Sequence, residues 1–311
     1  MAELYKKYRP KDFDEIYGNE AVVNSIVRKL EENDLPHFMI LAGPPGCGKT
    51  TVSRILKQKL EVRDMDFTEI NAATQNGVDV ARDIGQKCQY KPLGKGKNRL
   101  WLFDEAHRLT AACLAAMLKT LEDTPEHAYF IFATSEDKKL SDAIRSRATI
   151  FNMKPLTDSQ MTKLLNDIAE KENIEVPDEI IEKIVEVSLG QSRNALVALD
   201  AVKNLPKSKM KEAVEQSMQA ESKCFDLLKA LLWGRGDWAS IAKVLKDFNE
   251  DPEQTRRYLM TAACNQLKDP AKAKNHEASF QLAYSMKKPF YDNAMNDLIF
   301  ACRDFWNEVY S

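Results

Sequence analysis

The sequence lacks the closely spaced cysteines and histidines of a zinc module, and it lacks the cysteine framework of a disulfide scaffold. Its 311 residues contain six cysteines and four histidines, and no two cysteines form a C-x-x-C pair. The cysteines are Cys47, Cys88, Cys113, Cys224, Cys264 and Cys302. Because zinc modules and disulfide scaffolds are recognised by such spacings, neither is indicated, and we expect reduced thiols in a cytoplasmic protein.

Long apolar runs and an excess of one charge are also missing. Residues 1 to 7 contain no apolar signal core and no stretch approaches the length that spans a bilayer, so no membrane contact is expected. Charged residues make up 30% of the chain, yet the formal net charge is only −2. Any contact with nucleic acid must therefore come from a local basic patch. The length predicts two or three domains.

A glycine-rich segment after an apolar run fits the phosphate-binding pattern G-x-x-x-x-G-K-[ST]. Its members are Gly43, Pro44, Pro45, Gly46, Cys47, Gly48, Lys49 and Thr50. The pattern predicts a strand at 38–42, a turn whose backbone N–H groups bind phosphate oxygens, and a helix that continues through Thr51. Lys49 would neutralise the β- and γ-phosphates, and the Thr50 hydroxyl would ligate Mg²⁺. The chain is therefore predicted to bind a nucleoside triphosphate.

Apolar β-type runs alternate with helical stretches through the first half of the chain. The predicted strands are 38–42, 66–71, 100–103, 129–133 and 149–152. Such alternation indicates an α/β fold with a parallel sheet covered by helices. We assign this nucleotide-binding domain to residues 1–154.

After Pro155 the pattern becomes helical. Thr157 to Gln160 reads as a capping box, and apolar residues at helical spacing predict three helices, which form a small lid domain at 155–206. Beyond a lysine-rich connector only helical patterns remain, so residues 207–311 are predicted to form an all-α domain.

A pair of carboxylates, Asp104 and Glu105, ends the predicted strand at 100–103. Asp104 would hold Mg²⁺ together with Thr50, while Glu105 would polarise the attacking water. Residues 104–107 spell D-E-A-H, the sequence that gives a class of helicases its name, but nothing else in the chain supports a helicase. Asn71, at the end of the intervening strand, either holds Glu105 inactive until a ligand arrives or simply forms a turn.

Three further positions are candidates for contacts with the phosphates of a nucleotide. Ser135, with Thr134, follows the strand at 129–133 at the edge where open α/β sheets bind ligands. Arg147 is the candidate arginine finger that acts on a neighbouring subunit's nucleotide, with Arg145 and a simple surface ion pair as alternatives. Arg193 begins a helix, where a cation opposes the helix dipole, so we predict that it reaches over the γ-phosphate.

These motifs in this order resemble the AAA+ ATPases, and the flanking segments narrow the resemblance to clamp-loader motor subunits. The bacterial tau/gamma type and the small subunits of replication factor C are both similar over roughly residues 4 to 204. The segment 4–20 resembles the family's N-terminal box, which implies that Tyr8, Arg9, Pro10, Tyr17 and Gly18 bind the adenine. Residues 143–147 resemble the S-R-C motif, and 190–196 the lid motif with the second sensor arginine.

Two departures from the family pattern stand out. Ala148 replaces the usual cysteine after the finger arginine. The four-cysteine zinc insert of the bacterial type is absent, because the segment between the phosphate loop and Asp104 holds only Cys88. The chain therefore resembles a zinc-free relative, closer in build to replication factor C small subunits or to a virally encoded loader.

The resemblance implies an ATP- and Mg²⁺-dependent machine of about five subunits that opens a ring-shaped sliding clamp and closes it on primer-template DNA. It places Arg82 on the DNA backbone, with a solvated helix face as the alternative, and Arg108 as a weaker candidate. Tyr90 falls where the family touches the clamp, with a buried or loop-packing tyrosine as the alternative. The all-α domain at 207–311 corresponds by position alone to the family's collar, which joins the subunits into a ring. Competing functions are another AAA+ ATPase that remodels DNA, in branch migration or replication, and a structural subunit that binds nucleotide without hydrolysing it.

Overall fold

The computed structural model describes residues 3–92, 96–219, 223–233, 237–246, 248, 252–268, 276–290 and 294–310. These residues divide into two compact units, one up to Lys207 and one from Ser208 onward. Within the described part, no helix combines the length and apolar character that crossing a membrane requires.

The first unit contains five strands, nine α-helices and four short 3₁₀ helices in its described residues. Its strands are β1 (Phe38–Ala42), β2 (Phe67–Asn71), β3 (Arg99–Asp104), β4 (Ala128–Thr134) and β5 (Thr149–Asn152). Its helices are α1 (Leu4–Lys7), α2 (Glu20–Glu31), α3 (Lys49–Lys59), α4 (Val78–Lys87), α5 (Ala111–Glu122), α6 (Asp142–Arg145), α7 (Asp158–Glu172), α8 (Asp178–Ser188) and α9 (Ser192–Val202). In the second unit, every regular element among the described residues is a helix.

The sheet is parallel throughout, with strand order β2-β3-β4-β1-β5. Successive side chains of each strand enter two different apolar clusters, as the period of two requires. Phe38 and Ile40 pack with α4 and α5 on one face, while Met39 and Leu41 pack with α2 and α3 on the other. This three-layer arrangement confirms the predicted α/β fold and brings the carboxyl ends of β1, β3 and β4 to one edge.

The predicted helical lid also forms. Thr157 caps α7 in a capping box with Gln160, in which each side chain bonds to the other residue's backbone. The helices α7, α8 and α9 pack on one another through apolar faces that include Leu165, Ile184 and Leu199. Where the lid ends and the α/β domain begins stays a prediction, because the first unit contains both.

The second unit consists of six helices in the part that is described, with α10 beginning at its border. They are α10 (Lys207–Gln219), α11 (Lys223–Leu232), α12 (Trp238–Lys246), α13 (Pro252–Lys268), α14 (His276–Ser285) and α15 (Ala294–Tyr310). Arg256 lies in its interior, where it pairs with Glu253 at 2.7 Å and donates to the Met286 carbonyl at 2.6 Å. The predicted all-α class of the C-terminal region is confirmed.

Candidate active site

The phosphate loop joins β1 to α3 through backbone that only glycine adopts easily. Gly43, Gly46 and Gly48 have φ values of 156°, 73° and 98°. A Cβ on Gly43 would lie 2.4 Å from the carbonyl oxygen of Met153, which is too close for any side chain. The loop therefore takes the tight turn that the motif predicts, directly before the N-terminus of α3, where a phosphate group fits the free N–H groups.

Lys49 is the first residue of α3, directly after this loop, and it is only 7% exposed. Its ammonium group donates hydrogen bonds to the carbonyl oxygens of Gly43 at 2.7 Å and Pro44 at 2.9 Å. An ammonium group has three donors, so one remains for another acceptor. The loop thus fixes the lysine's charge beside the backbone that would hold a phosphate.

Asp104 and Glu105 stand where β3 ends. Glu105 has φ 52° and ψ 42°, a left-handed conformation that costs a residue with a side chain about 1 to 2 kcal/mol. The Glu105 amide donates to Asp104 Oδ1 at 3.1 Å, which fixes the turn, and its side chain is 38% exposed. The strained turn therefore directs one carboxylate toward solvent and leaves the other beside the strand end.

Asn71 lies opposite Asp104 in the register of β2 and β3. Its side-chain oxygen accepts a hydrogen bond from the Ala73 amide at 2.9 Å, and its carbonyl accepts from the Thr74 amide at 3.0 Å. These contacts match the turn-forming alternative of the two we considered. Restraint of Glu105 by Asn71 stays a proposal.

The end of β4 meets the phosphate loop directly. The Gly43 amide donates to the carbonyl oxygen of Thr134 at 3.1 Å, and Ser135 follows as a half-buried residue. The Thr134 hydroxyl lies 3.0 Å from Nδ1 of His107. Sequence reasoning missed His107, although it is the fourth residue of D-E-A-H.

A cavity of about 680 Å³ adjoins the phosphate loop. Its wall includes the five residues that the resemblance assigns to the adenine, three residues of the phosphate loop and one of α3, namely Tyr8, Arg9, Pro10, Tyr17, Gly18, Gly46, Cys47, Gly48 and Thr51. The lid closes another side through Leu164 and Leu196 of α7 and α9. The wall combines aromatic and aliphatic side chains with charged ones such as Lys163 and Asp167, and such a mixed pocket beside a phosphate loop suits a purine base.

Two tyrosines of the N-terminal box tie this cavity to α7. The Tyr17 hydroxyl donates to Asp167 Oδ2 at 2.6 Å, and burial together with this bond raises the pKa of Tyr17 to about 12. The Tyr8 hydroxyl donates to Glu172 Oε1 at 2.6 Å. Local sequence patterns gave no sign of these acidic partners.

The Glu172 carboxylate accepts hydrogen bonds from three side chains. Hydrogen bonds from Lys203, Lys7 and Tyr8 lower the pKa of Glu172 to about 2, so the carboxylate is charged at neutral pH. Lys203 Nζ lies 2.6 Å from Glu172 Oε2. The N-terminal segment and two lid helices are thereby joined at one carboxylate.

Arg193 lies in the first turn of α9, as predicted, but its guanidinium group sits over the ring of Tyr5, 5.8 Å from its centroid. It lines a second cavity, of about 590 Å³, together with Arg9 and Arg54. Burial, with the charges of Arg54 and Arg193, lowers the pKa of Arg9. The neighbouring Ser192 hydroxyl donates to the Gly46 carbonyl at 3.4 Å, which places this helix start next to the phosphate loop.

The candidate finger Arg147 is held within its own chain. It forms an ion pair with Glu122, and its Nη1 donates to the Ala143 carbonyl at 2.7 Å. The side chain is 35% exposed. The surface ion pair that we considered as an alternative is therefore present, while Arg145 pairs instead with Asp137 at 3.3 Å.

The two DNA candidates are at the surface. Arg82 has a side chain that is 70% exposed and lies 3.5 Å from Asp79, and Arg108 is exposed at the end of a 3₁₀ helix. Tyr90, the candidate contact with a clamp, is 68% exposed. All three side chains can be reached by a partner.

Comparison with known proteins finds several relatives. A family model described as DNA polymerase III, delta subunit, matches residues 60–157. The replication factor C small subunit of Thermoplasma volcanium is 37% identical over 209 residues, which cover 65% of this chain and 64% of that protein. The DNA polymerase III subunit gamma/tau of Mycoplasma pneumoniae is 32% identical over 226 residues, which cover 66% of this chain but 33% of that protein.

Solved structures with the same fold include the RuvB Holliday junction branch migration motor of Thermotoga maritima. It aligns with a TM-score of 0.57 and 22% identity over 76% of this chain and 85% of that one. At this identity the likeness concerns the fold alone. The chain spans between a third and a half of the length of the gamma/tau relatives that it matches, from 33% to 45%.

Proposed function

We propose, on the premise that this chain resembles the ATPase subunits of clamp loaders, that it is a motor subunit of a DNA polymerase sliding-clamp loader. In this role it uses ATP binding and hydrolysis to open a ring clamp and place it on primer-template DNA. The observation that carries the proposal is the meeting of the phosphate loop, Asp104, Glu105 and Ser135 at one edge of the sheet. The lid and the N-terminal box flank the same edge.

The phosphates of ATP would lie against the loop 43–48 and the start of α3. Lys49 would give its remaining donor to a phosphate oxygen, and the fixed glycine backbone would supply N–H groups. Thr50 and Asp104 are the residues that would hold Mg²⁺. When bound, the ion neutralises charge that develops on the phosphate oxygens.

Glu105 is the group that would orient water and accept its proton. The left-handed turn projects this carboxylate beyond the end of β3, where a water molecule has access to it. Ser135, at the end of the next strand, would contact the same water or the γ-phosphate. Asn71 would act on Glu105 only after its turn with Ala73 rearranges.

Arg147 would complete the site of a neighbouring subunit. Its ion pair with Glu122 is partly exposed, and such pairs are worth at most about 1 kcal/mol. A nucleotide phosphate on a neighbour would therefore compete easily with Glu122 for the guanidinium group. Arg193 would reach the γ-phosphate by leaving the ring of Tyr5, and the two movements together would couple nucleotide binding to ring assembly.

DNA and clamp would bind the exposed side of the first unit. Arg82, on α4, would contact a backbone phosphate without reading sequence, and Arg108 would add a weaker contact. The nearly neutral net charge fits a protein that meets DNA through such local contacts. Stimulation of hydrolysis by DNA and about five subunits in the ring belong to the same proposal.

The decisive test of a trans-acting arginine uses two inactive variants. Lys49→Ala removes the phosphate-binding charge, and Arg147→Ala removes the finger, so each variant should hydrolyse ATP poorly with DNA and clamp. Mixed together, a Lys49→Ala subunit can supply its Arg147 to the intact phosphate loop of an Arg147→Ala subunit, and part of the activity should return.

Arg145→Ala is the matched control, because it removes a neighbouring arginine that pairs with Asp137. Its rate should stay within about threefold of wild type. If the mixture stays as inactive as its parts while both variants assemble, Arg147 does not act in trans. If wild type shows no ATPase activity with any combination of DNA, clamp and partner subunits, the motor assignment is wrong.

A further inference from the structure

His107 occupies an unusual position between two carboxylates. Its side chain is only 4% exposed, Nδ1 lies 3.4 Å from Glu105 Oε2, and Nε2 lies 3.6 Å from Glu136 Oε1. Burial lowers the pKa of His107, although the charges of Glu105 and Glu136 oppose this effect. The remaining charges that face the ring, on Lys139 and Arg108, lower the pKa further, so the imidazole is neutral at pH 7.

The surroundings of the ring select one tautomer. A neutral imidazole carries a single N–H group, and Nδ1 has two oxygen atoms near it, the Thr134 hydroxyl at 3.0 Å and Glu105 Oε2 at 3.4 Å. The nearest carboxylate oxygen to Nε2, at 3.6 Å, is beyond hydrogen-bond distance. With the proton on Nε2, Nδ1 would accept from the Thr134 hydroxyl, but its lone pair would also face the Glu105 carboxylate. A proton on Nδ1 is instead attracted to both oxygens, so the Glu105 carboxylate favours this tautomer.

Thr134 links this ring to the phosphate loop. Its hydroxyl accepts a hydrogen bond from the Glu136 amide at 3.0 Å, which fixes the oxygen that His107 meets. Its carbonyl oxygen accepts from the amide of Gly43 at 3.1 Å, the first glycine of the loop. One residue of β4 thus contacts the phosphate loop through its backbone and His107 through its side chain.

We propose that His107, with its proton on Nδ1, is a positioning residue that holds the Glu105 carboxylate in register with the phosphate loop through Thr134. The inference rests on the proposed function, in which Glu105 acts on water. The left-handed turn aims the backbone of Glu105, but a glutamate side chain has three rotatable bonds that the turn leaves open. An Nδ1–H group 3.4 Å from Oε2 would attract the far end of that side chain, where small displacements lower catalytic rates.

The tautomer can be measured without any ATPase activity. The full chain has four histidines, so ¹⁵N-histidine labelling gives few signals, and the one that disappears in His107→Gln belongs to this residue. We expect the shifts of a neutral ring with its proton on Nδ1 at pH 7. A ring protonated on Nε2 or on both nitrogens would overturn the proposal.

Kinetics then separate a positioning role from a structural one. The amide nitrogen of an asparagine can occupy the place of Nδ1, whereas that of a glutamine lies nearer to Nε2. We expect His107→Gln to lower kcat by about tenfold or more with the Kd for ATP within about twofold, and His107→Asn to recover to within about threefold of wild type. Equal losses of kcat in both variants, or no loss in either, would contradict the proposal.

Substitutions of Thr134 test the same proposal independently. Thr134→Val removes the hydroxyl but keeps the carbonyl that binds Gly43, and Thr134→Ser keeps both. The Val change should lower kcat, the Ser change should not, and the Val change should have little further effect in His107→Gln. If the losses of kcat in Thr134→Val and His107→Gln multiply in the double variant, the two residues act independently, and this would refute the proposal. The proposed function fails separately, if wild type is no faster than Glu105→Gln.

Discussion

The turn between α8 and α9 sets the position of Arg193, and a single methyl group there should loosen the lid. Leu189 and Gly190 are both left-handed, with φ values of 50° and 76°. The Gly190 carbonyl accepts a hydrogen bond from the Leu156 amide at 2.9 Å, which ties this turn to the start of the lid. A Cβ at Gly190 would lie 2.6 Å from Pro155 Cβ and 2.7 Å from the Leu156 carbonyl oxygen.

Gly190→Ala should therefore destabilise the lid by two additive effects. A left-handed residue with a Cβ costs about 1 to 2 kcal/mol. Inserting a methyl group against packed backbone costs a further 1 to 3 kcal/mol or so, and neither the proline ring nor the carbonyl can move away easily. Together they give about 2 to 5 kcal/mol, a large part of the roughly 5 to 15 kcal/mol that stabilises a typical domain.

Hydrogen exchange measured by mass spectrometry on peptides from residues 158–202 tests this prediction, because the two units of the chain need not unfold together. A loss of 2 kcal/mol corresponds to exchange that is about 30-fold faster. The matched control is Gly77→Ala, since Gly77 has φ −81° and open space around its Cβ position. Equal protection of the lid in the two variants would refute the steric reasoning.

Three further predictions concern ionic and hydroxyl contacts. The pKa of Glu172 in the folded protein is about 2, below its usual 4.5, so its contribution to stability is complete above pH 4.5 and is lost as the pH falls toward 2. In urea titrations, the stability of Glu172→Gln should therefore depend less on acid pH than that of wild type. Glu253→Gln removes the carboxylate that pairs with the buried charge of Arg256, and it should lower the free energy of unfolding by about 3 to 5 kcal/mol, measured by thermal unfolding. Adding Arg256→Met should recover part of this stability, and no recovery would contradict the pairing. Tyr17→Phe removes the bond to Asp167 and should cost about 1 kcal/mol, read as a roughly fivefold weaker affinity for a fluorescent ATP analogue, whereas unchanged affinity would separate Tyr17 from the base pocket.

The sheet could be predicted from sequence because buried parallel strands appear as short apolar runs between turn residues. All five strands form, and three differ at their ends from the predicted runs. β3 and β4 extend one residue beyond each end of the runs at 100–103 and 129–133, and β2 begins one residue after the start of the run at 66–71. Asp66 ends a 3₁₀ turn instead of starting β2, and its Oδ1 lies 3.2 Å from Arg99 Nε. That partner belongs to another strand, so no local pattern around Asp66 reveals it.

The candidate site also has parts that a local sequence pattern predicts and parts that depend on distant residues. The phosphate loop is a local motif whose glycines, lysine and threonine specify one turn, and its geometry agrees with the prediction. The contacts of His107 with Thr134, Tyr17 with Asp167 and Tyr8 with Glu172 join residues 27, 150 and 164 positions apart. Such pairs depend on how the elements pack, which periodicity and propensity do not encode.

The central claim is that this chain hydrolyses ATP with Glu105 at the reacting water. The most direct measurement compares steady-state ATPase rates of wild type and Glu105→Gln, each with primer-template DNA and clamp, after ATP affinity has been matched by direct binding. Removing a general base should slow hydrolysis by about 100-fold or more while ATP binding stays within about twofold. Equal rates in the two proteins would contradict the account, since ATP would then be bound without the chemistry assigned to this site.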